Sequence, residues 1–481
     1  MKKSVKINAV LNIIRTLTLI IFPLITFPYA TRVLGASNLG KVQFASSIIS
    51  YMSLIAALGL SMYATREGTK YRGDREKLSK FASQMFSINL FFTLIAYVLL
   101  FITLLFPTKL QNYTTLILIQ SISVLFTTLG VDWLYTINED YLYITIRSVV
   151  THIISLTLLF LFVHVESDYY IYAIISVVAS SGTHLFNFFH SKKYCDLKID
   201  FHPNLKTHFK SLIILFSNNL ASQIYINADV TMLGLMAGDY FVGIYGVATK
   251  VYFMVKSVLN AMITVVIPRL SFYRNTNDEK SYNDLCSKII NACIILILPI
   301  ILGLFLLSDE VVYLIAGKNF ILASTGLKIL SFSLFFAVFA NFFANAILIV
   351  NKKEKYVLKA TIIAALLNIA LNFALIPVLK QNGTALTTLI AEIVVALISF
   401  YHARKYVKVN DLKKNIIPSI FGLISIFLIC FLFKQIEMHL ILRTICMVVL
   451  SAISYFTILI IFKNKIIMDL LKQFKNKLKK K

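Results

Sequence analysis

Charge is scarce in this chain, and acid is scarcer than base. Only 14% of the 481 residues are charged, well below the ~25% of a soluble domain, and Asp and Glu number 22 against 47 Lys and Arg. No polar interval exceeds ~20 residues, whereas a folded domain takes ~100. These shortages exclude a soluble globular fold and leave no loop large enough to house an enzyme domain. Cysteine is also sparse: Cys195, Cys286, Cys293, Cys430 and Cys446 are scattered, in a spacing that matches neither a metal knuckle nor a disulfide framework. They read as inert fillers, or as cytoplasmic thiols at Cys195 and Cys286. The chain has no Walker-type phosphate loop. Residues 308–323 form the longest outside interval and offer only Asp309 and Glu310 as acids, too few for an acid–base or metal constellation. The opening Met1-Lys2-Lys3 lacks a small-x-small cleavage site and leads directly into a first span.

What is present is apolar. Hydrophobic residues make up 58% of the chain, gathered into about fourteen stretches long enough for a helix to cross ~30 Å of hydrocarbon. The first six are read at 9–30, 39–63, 78–106, 113–134, 142–164 and 169–190. The next six are at 212–235, 241–267, 285–307, 324–350, 356–379 and 383–402. A final pair covers 412–433 and 438–462. The expectation is an all-α integral membrane protein of about 14 transmembrane helices: a six-helix bundle at 1–190, a cytoplasmic linker loop at 191–211, a second six-helix bundle at 212–405, two added helices at 406–462 and a basic tail at 463–481.

The net charge of +25 does not point to nucleic acid, because the basic residues sit in loops between spans rather than on one folded face. About 35 of the 47 fall in alternate connections and about 7 in the others, which is the positive-inside asymmetry. Both termini are therefore expected in the cytoplasm, and the chain is expected in the cell membrane. The Lys-rich tail, with Leu470, Leu471, Phe474 and Leu478 at near-helical spacing, is expected to lie on anionic membrane lipids.

The two sets of six repeat one another. The turn Leu34-Gly35-Ala36-Ser37-Asn38-Leu39-Gly40 matches Ala237-Gly238-Asp239-Tyr240-Phe241-Val242-Gly243 at an offset of about 203 residues. Six intervening spans preserve orientation, so the repeats are parallel and related by a pseudo-twofold axis, with a cavity expected between them. A weaker echo pairs the entries to the fifth and eleventh spans, Glu139 and Tyr141 against Glu354 and Tyr356.

Polar groups in the spans mark the expected path, since a lipid-facing charge near mid-membrane costs about 2.5 to 3.5 kcal/mol. In the first span Asn8, Asn12 and Arg15 share one helix face; in the seventh, Asn218, Ser222, Tyr225 and Asp229 do so, with Asn219 and Gln223 alongside. Lys250 and Lys256 lie on the eighth span and Glu392 on the twelfth. Arg15, Asn12, Asn218, Ser222, Tyr225, Lys250 and Lys256 are the candidate substrate-binding residues; Asp229 and Glu392 are candidates for coupling to H+ or Na+. Counting Arg147, four deep cations face two anions, so the cavity is expected to be cationic, suited to an anionic head group rich in hydroxyls. Plainer readings stand beside these: Arg147 snorkels to the cytoplasmic interface or pairs with Glu139 or Asp140, Asp229 neutralises a lysine, the pairs Asn341/Asn345 and Asn368/Asn372 hold helices together, and His152 and His184 are structural.

The stretch Phe22-Pro23-Leu24-Ile25-Thr26-Phe27-Pro28-Tyr29-Ala30-Thr31-Arg32-Val33-Leu34-Gly35, continued by Gly40-Lys41-Val42-Gln43-Phe44-Ala45, resembles the amino-terminal signature of Wzx-type polysaccharide repeat-unit flippases of the multidrug/oligosaccharidyl-lipid/polysaccharide (MOP) exporter superfamily. Asp132-Trp133-Leu134-Tyr135 with Glu139 and Arg147, Pro268-Arg269-Leu270-Ser271, and Asn368-Ile369-Ala370-Leu371-Asn372 before Ile376-Pro377 are similar to other family patterns. Where the family pattern continues Gln-Gly, this chain has Thr136-Ile137, so no role of that Gln carries over. The resemblance implies a MATE/MOP-like fold and flipping of undecaprenyl-diphosphate-linked oligosaccharides by alternating access, for capsule, exopolysaccharide or O-antigen assembly. It implies no cofactor beyond a coupling ion and, as partners, a polysaccharide polymerase and glycosyltransferases. A lipid II flippase or a drug/cation antiporter of the same fold is the sibling reading, and a membrane polysaccharide polymerase or glycosyltransferase the reading from another class.

Overall fold

The computed structural model describes residues 5–201, 205–408 and 412–478; the side chains of 5–17, 19, 20, 206, 218, 413, 470 and 473–478 lie outside the description. Every regular element among the described residues is helical. Lipid imposes this, because a helix satisfies its own backbone polar groups where water is absent.

In chain order the helices are α1 (Val5–Ala57), α2 (Leu60–Gly68), α3 (Arg75–Leu105), α4 (Thr114–Gly130), α5 (Asp132–Ile137), α6 (Tyr141–Phe162), α7 (Tyr169–His190) and α8 (Leu205–Met236). There follow α9 (Asp239–Asn275), α10 (Glu279–Leu306), α11 (Ser308–Ala316), α12 (Ala323–Asn341), which runs on as a π-helix over Phe342–Ile349, then α13 (Glu354–Ala403), α14 (Leu412–Lys434), α15 (Leu440–Ile461) and α16 (Lys465–Leu478). Among the described residues eleven helical segments are long and apolar enough to cross a membrane. Two of these are each a pair of crossings joined at a break, at Gly35 in α1 and at Lys380 in α13, which makes thirteen. Helix α8, at 32 residues, is a fourteenth by length; its polar stripe keeps it out of the apolar set.

Two breaks were not expected. The second crossing stops at Leu58 and Gly59, both at positive φ (43° and 70°), and restarts as α2; the fourth stops at Val131 (φ 38°) and restarts as α5. Left-handed backbone is costly for Leu and Val, and packing sustains it here. Leu58, Val131 and Trp133 are buried in one cluster with Tyr63, Leu78, Phe81 and Leu134. Asn89 of α3 donates to the Ala56 carbonyl at 2.7 Å, satisfying an acceptor in the last turn before the break. Cys195 is sealed into the same cluster, and burial pushes its thiol up to about 12.

The chain forms two compact units, residues 1–243 and 244–481. Within the first, the repeated turns meet. A Cβ added at Gly40 would fall 1.8 Å from the Asp239 carbonyl oxygen, and one at Gly243 would fall 2.0 Å from that of Ala36. Residues 36 and 40 correspond to 239 and 243 in the repeat, so the two contacts exchange partners, as a twofold relation between two copies requires. The weaker echo persists with a shifted register. Tyr143 stacks on His190 with ring centroids 4.0 Å apart, and Tyr356 stacks on His402 at 3.9 Å; Tyr143, rather than Tyr141, is the counterpart of Tyr356.

In the second unit the amides hold helices together. Thr387 donates to Asn372 at 2.7 Å and Asn372 to Asn368 at 3.1 Å, bridging the two halves of α13. Helices α14 and α15 dock on α10 through the Tyr455 hydroxyl, which donates to the Ile295 carbonyl at 2.8 Å. Glu310 of α11, 5% exposed, lies 3.6 Å from Lys434 and 3.7 Å from Arg443, tying the far ends of the same pair.

Candidate functional site

The two unexpected breaks open onto one space. A cavity of about 470 Å³ in the first unit has walls from the end of the second crossing (Ser53, Ala57, Ser61), from Asn89, from the fourth-crossing break (Thr127, Thr128, Asp132, Trp133), from His184, and from Asn219, Ser222 and Gln223 of α8. Its lining mixes amides, hydroxyls, one carboxylate and an indole. Discontinuous helices at membrane depth are tolerated where they line a cavity and are a recurrent way of building transporter sites.

Of the predicted residues in this unit, Ser222 lines the cavity. Tyr225 is half-buried and is not among the residues lining it. Asp229 is buried farther along α8, near Thr231, whose hydroxyl lies 2.9 Å from that of Ser47 and 3.4 Å from that of Tyr51. Asn12, Arg15 and Asn218 lie outside the described side chains.

Asp132 is the residue the polar count missed. Its carboxylate accepts from Arg147 at 2.7 Å and from Asn187 at 2.6 Å, with His184 Nδ1 at 3.4 Å. Asn187 also donates to the Gly130 carbonyl at 2.9 Å, so the cluster staples both sides of the break. Arg147 is 9% exposed and lies over the Tyr135 and Tyr143 rings. This corrects the expected pairing with Glu139 or Asp140. Glu139 instead accepts from Arg72 at 2.6 Å, and Asp140 from Tyr194 at 2.5 Å. The break at Val131 turns Asp132 toward Arg147, and a straight helix gives no hint of that. His184 is likewise part of the charged cluster and the cavity wall, not a bystander.

In the second unit Lys256 reaches from α9 to Glu392 on α13 at 2.6 Å, and Tyr252 donates to the same oxygen at 3.0 Å. Glu392 is 4% exposed. In this conformation it balances Lys256, and adding Asp132 turns the expected count of four deep cations against two anions into four against three. Lys250 is half-buried two turns earlier on α9. Replacing Glu392 by Ala strands Lys256 and is expected to cost about 3–5 kcal/mol, as for other buried pairs that lose one partner. Lys256→Met combined with Glu392→Leu should recover thermal stability; a double variant as unstable as Glu392→Ala would mean that the pair is not directly coupled.

Among the described residues, eleven long apolar helical segments, two crossings interrupted at Leu58 and Val131, and a polar cavity at those breaks define a multi-pass membrane protein of transporter-like architecture. The chain belongs to the polysaccharide biosynthesis protein family, whose pattern it matches over residues 5–274, and residues 215–374 match the MatE family. It is thus a Wzx-type member of the MOP exporter superfamily. It is 25% identical over 397 residues to the putative O-antigen transporter of Escherichia coli (strain K12), covering 80% of this chain and 93% of that one. It is 25% identical over 381 residues to the capsular polysaccharide biosynthesis protein CapF of Staphylococcus aureus, covering 76% and 91%. Among solved structures it is similar to the lipid II flippase MurJ in its inward closed conformation, with a TM-score of 0.77 and 20% identity over 96% of this chain and 100% of that one. It is also similar to an inward-facing MATE family transporter of the MOP superfamily, with a TM-score of 0.57 and 15% identity over 82% and 97%. These two likenesses establish a MATE/MOP-like fold.

Proposed function

We propose that this protein flips undecaprenyl-diphosphate-linked oligosaccharide repeat units from the cytoplasmic to the outer leaflet of the cell membrane, supplying capsule, exopolysaccharide or O-antigen assembly. The observation that carries the reading is the cavity at the two helix breaks: hydroxyls and amides on several helices, with Trp133 and Asp132 beside them, suit a sugar ring that offers hydroxyls at its edge and C–H groups on its face. The names borne by the relatives, an O-antigen transporter and a capsular polysaccharide protein, agree with it. The positive-inside loops orient both termini to the cytoplasm, where glycosyltransferases would complete the substrate; a polymerase would consume it outside. The work is translocation, driven by an H+ or Na+ gradient and needing no other cofactor. A substrate diphosphate that draws Lys256 away would free Glu392 to take up the coupling ion, and Arg15, Asn12, Asn218, Tyr225, Lys250 and Asp229 remain proposed contributors to the path.

Deleting the gene tests this directly. Intact single repeat units on undecaprenyl diphosphate should accumulate, inaccessible to reagents added outside. Accumulation of single repeats on the outer leaflet would point to a polymerase and overturn the reading.

A further inference from the structure

The second unit holds another cavity, unconnected in sequence with the residues assigned to transport. It measures about 670 Å³ and lies where the starts of α10 and α14 meet the turn from α15 into α16. Four lysines line it, Lys288, Lys414, Lys463 and Lys465, against two acids, Asp284 and Asp469. These connections belong to the Lys-rich set, so the cavity opens at the cytoplasmic face.

Its acids do not serve its bases. Asp284 and Asp469 each stand four residues from a lysine of the same helix, Lys288 and Lys465, a spacing that favours pairing. Yet among the described residues neither pair closes to ion-pairing distance, and Lys463 has no carboxylate partner either. Lys288, Lys463 and Lys465 thus border a space many times the ~30 Å³ of a water molecule with no carboxylate at ion-pairing distance among the described residues. Solvated surface lysines ordinarily spread apart, whereas these converge on one walled space.

The walls are braced. Asn464 donates to Asn415 at 2.7 Å and accepts from the Ile466 amide at 3.1 Å, fixing the turn at Lys463. Lys408 donates its amide to Asn283 at 2.8 Å, and Ser287 donates to the Lys408 carbonyl at 3.1 Å, fixing the segment before α14 onto α10. Along its membrane side Ile417 lines the cavity and is 52% exposed, and Phe462, also lining it, stacks on exposed Phe421 at 5.3 Å. A cationic, amide-edged cavity with an apolar rim matches a molecule that is anionic at one end and hydrocarbon at the other.

We propose that this cavity binds the head group of an anionic glycerophospholipid of the cytoplasmic leaflet, its phosphates among Lys288, Lys463 and Lys465 and its acyl chains over Ile417, Phe421 and Phe462. Three lysines converging on one space favour a dianionic, two-phosphate lipid over a singly charged one. Bound there, the lipid joins α10 to the appended helices and to α16 at the leaflet surface. The site is independent of the transport reading.

The test is native mass spectrometry of the purified full chain titrated with cardiolipin, phosphatidylglycerol, phosphatidylethanolamine, undecaprenyl diphosphate or inorganic phosphate. Cardiolipin should bind most tightly and phosphatidylethanolamine least. At about fivefold per lysine, the equivalent of ~1 kcal/mol for each basic residue near a membrane surface, the triple variant Lys288→Gln/Lys463→Gln/Lys465→Gln should weaken cardiolipin binding well over tenfold. The exposed Lys80→Gln, in the other unit, should leave it unchanged. All three lysines are exposed, so the triple variant should match the parent in thermal unfolding in uncharged detergent. Equal cardiolipin binding by the triple variant, equal binding of phosphatidylethanolamine, or a lysine-dependent site that takes undecaprenyl diphosphate or inorganic phosphate but not cardiolipin would each overturn the proposal. None of these results bears on whether repeat units are flipped.

Discussion

Asp132→Ala is expected to remove nearly all surface polysaccharide and to lower the thermal stability of the purified protein. The change leaves Arg147, 9% exposed, without its 2.7 Å partner and takes an acceptor from Asn187. Breaking a buried pair on one side typically costs about 3–5 kcal/mol. The lower end applies here, because 43% of the Asp132 side chain is solvent-accessible. Loss of function should exceed loss of stability, since the same carboxylate lines the cavity and holds the break at Val131. Asp132→Asn keeps an acceptor oxygen and should fall between Ala and the parent. Pairing Asp132→Ala with Arg147→Met should restore stability beyond the sum of the single effects, the signature of direct coupling. A silent Asp132→Ala variant would mean that the cluster holds nothing in place.

The second large effect is expected at two glycines. Gly40→Val and Gly243→Val each force a side chain into a carbonyl oxygen, Asp239 for the first and Ala36 for the second. Even Ala requires the helices to separate, because Cβ atoms do not approach a backbone oxygen to 2 Å. Both Val variants should fail to accumulate in the membrane or should lose surface polysaccharide about 100-fold or more, of the order expected when ~3 kcal/mol is lost from a helix contact. The twofold relation adds a sharper expectation: Gly40→Ala and Gly243→Ala should be harmful to a similar degree. Gly303→Ala is the control, for a Cβ there meets nothing within 4 Å, and it should be neutral or slightly stabilising. Membrane abundance and thermal unfolding of the three Ala variants decide the matter.

These two predictions differ in how far the sequence foretold them. The glycines were visible because a turn that packs backbone on backbone cannot vary its Gly, so Gly35 to Gly40 and Gly238 to Gly243 stand out as a repeat. The fourteen crossings were visible for a similar reason, since a hydrocarbon core demands unbroken apolar length. Hydropathy does not register a change in φ, however, so the breaks at Leu58 and Val131 passed unseen inside spans that remain apolar across them. Neither Leu nor Val signals left-handed backbone. Asp132 belongs to the Trp133 motif but falls outside a tally of deep charges, because it stands near the end of a span. Its partner Arg147 was assigned to the acids nearest in sequence, and only the fold brings residues 15 apart on different helices to 2.7 Å. Lys256 and Glu392 were each legible as costly charges, while their meeting across 136 residues was not.

The most direct measurement of the central claim is translocation by the purified protein. Proteoliposomes carrying an undecaprenyl-diphosphate-linked oligosaccharide on one leaflet should move it to the other when an H+ or Na+ gradient is imposed, scored by the fraction of sugar open to a membrane-impermeant periodate reagent. Asp132→Ala should abolish that movement and Gly303→Ala should leave it intact. Sugar that stays on its original leaflet under every gradient, or that crosses equally fast with the parent protein and with Asp132→Ala, would contradict the account.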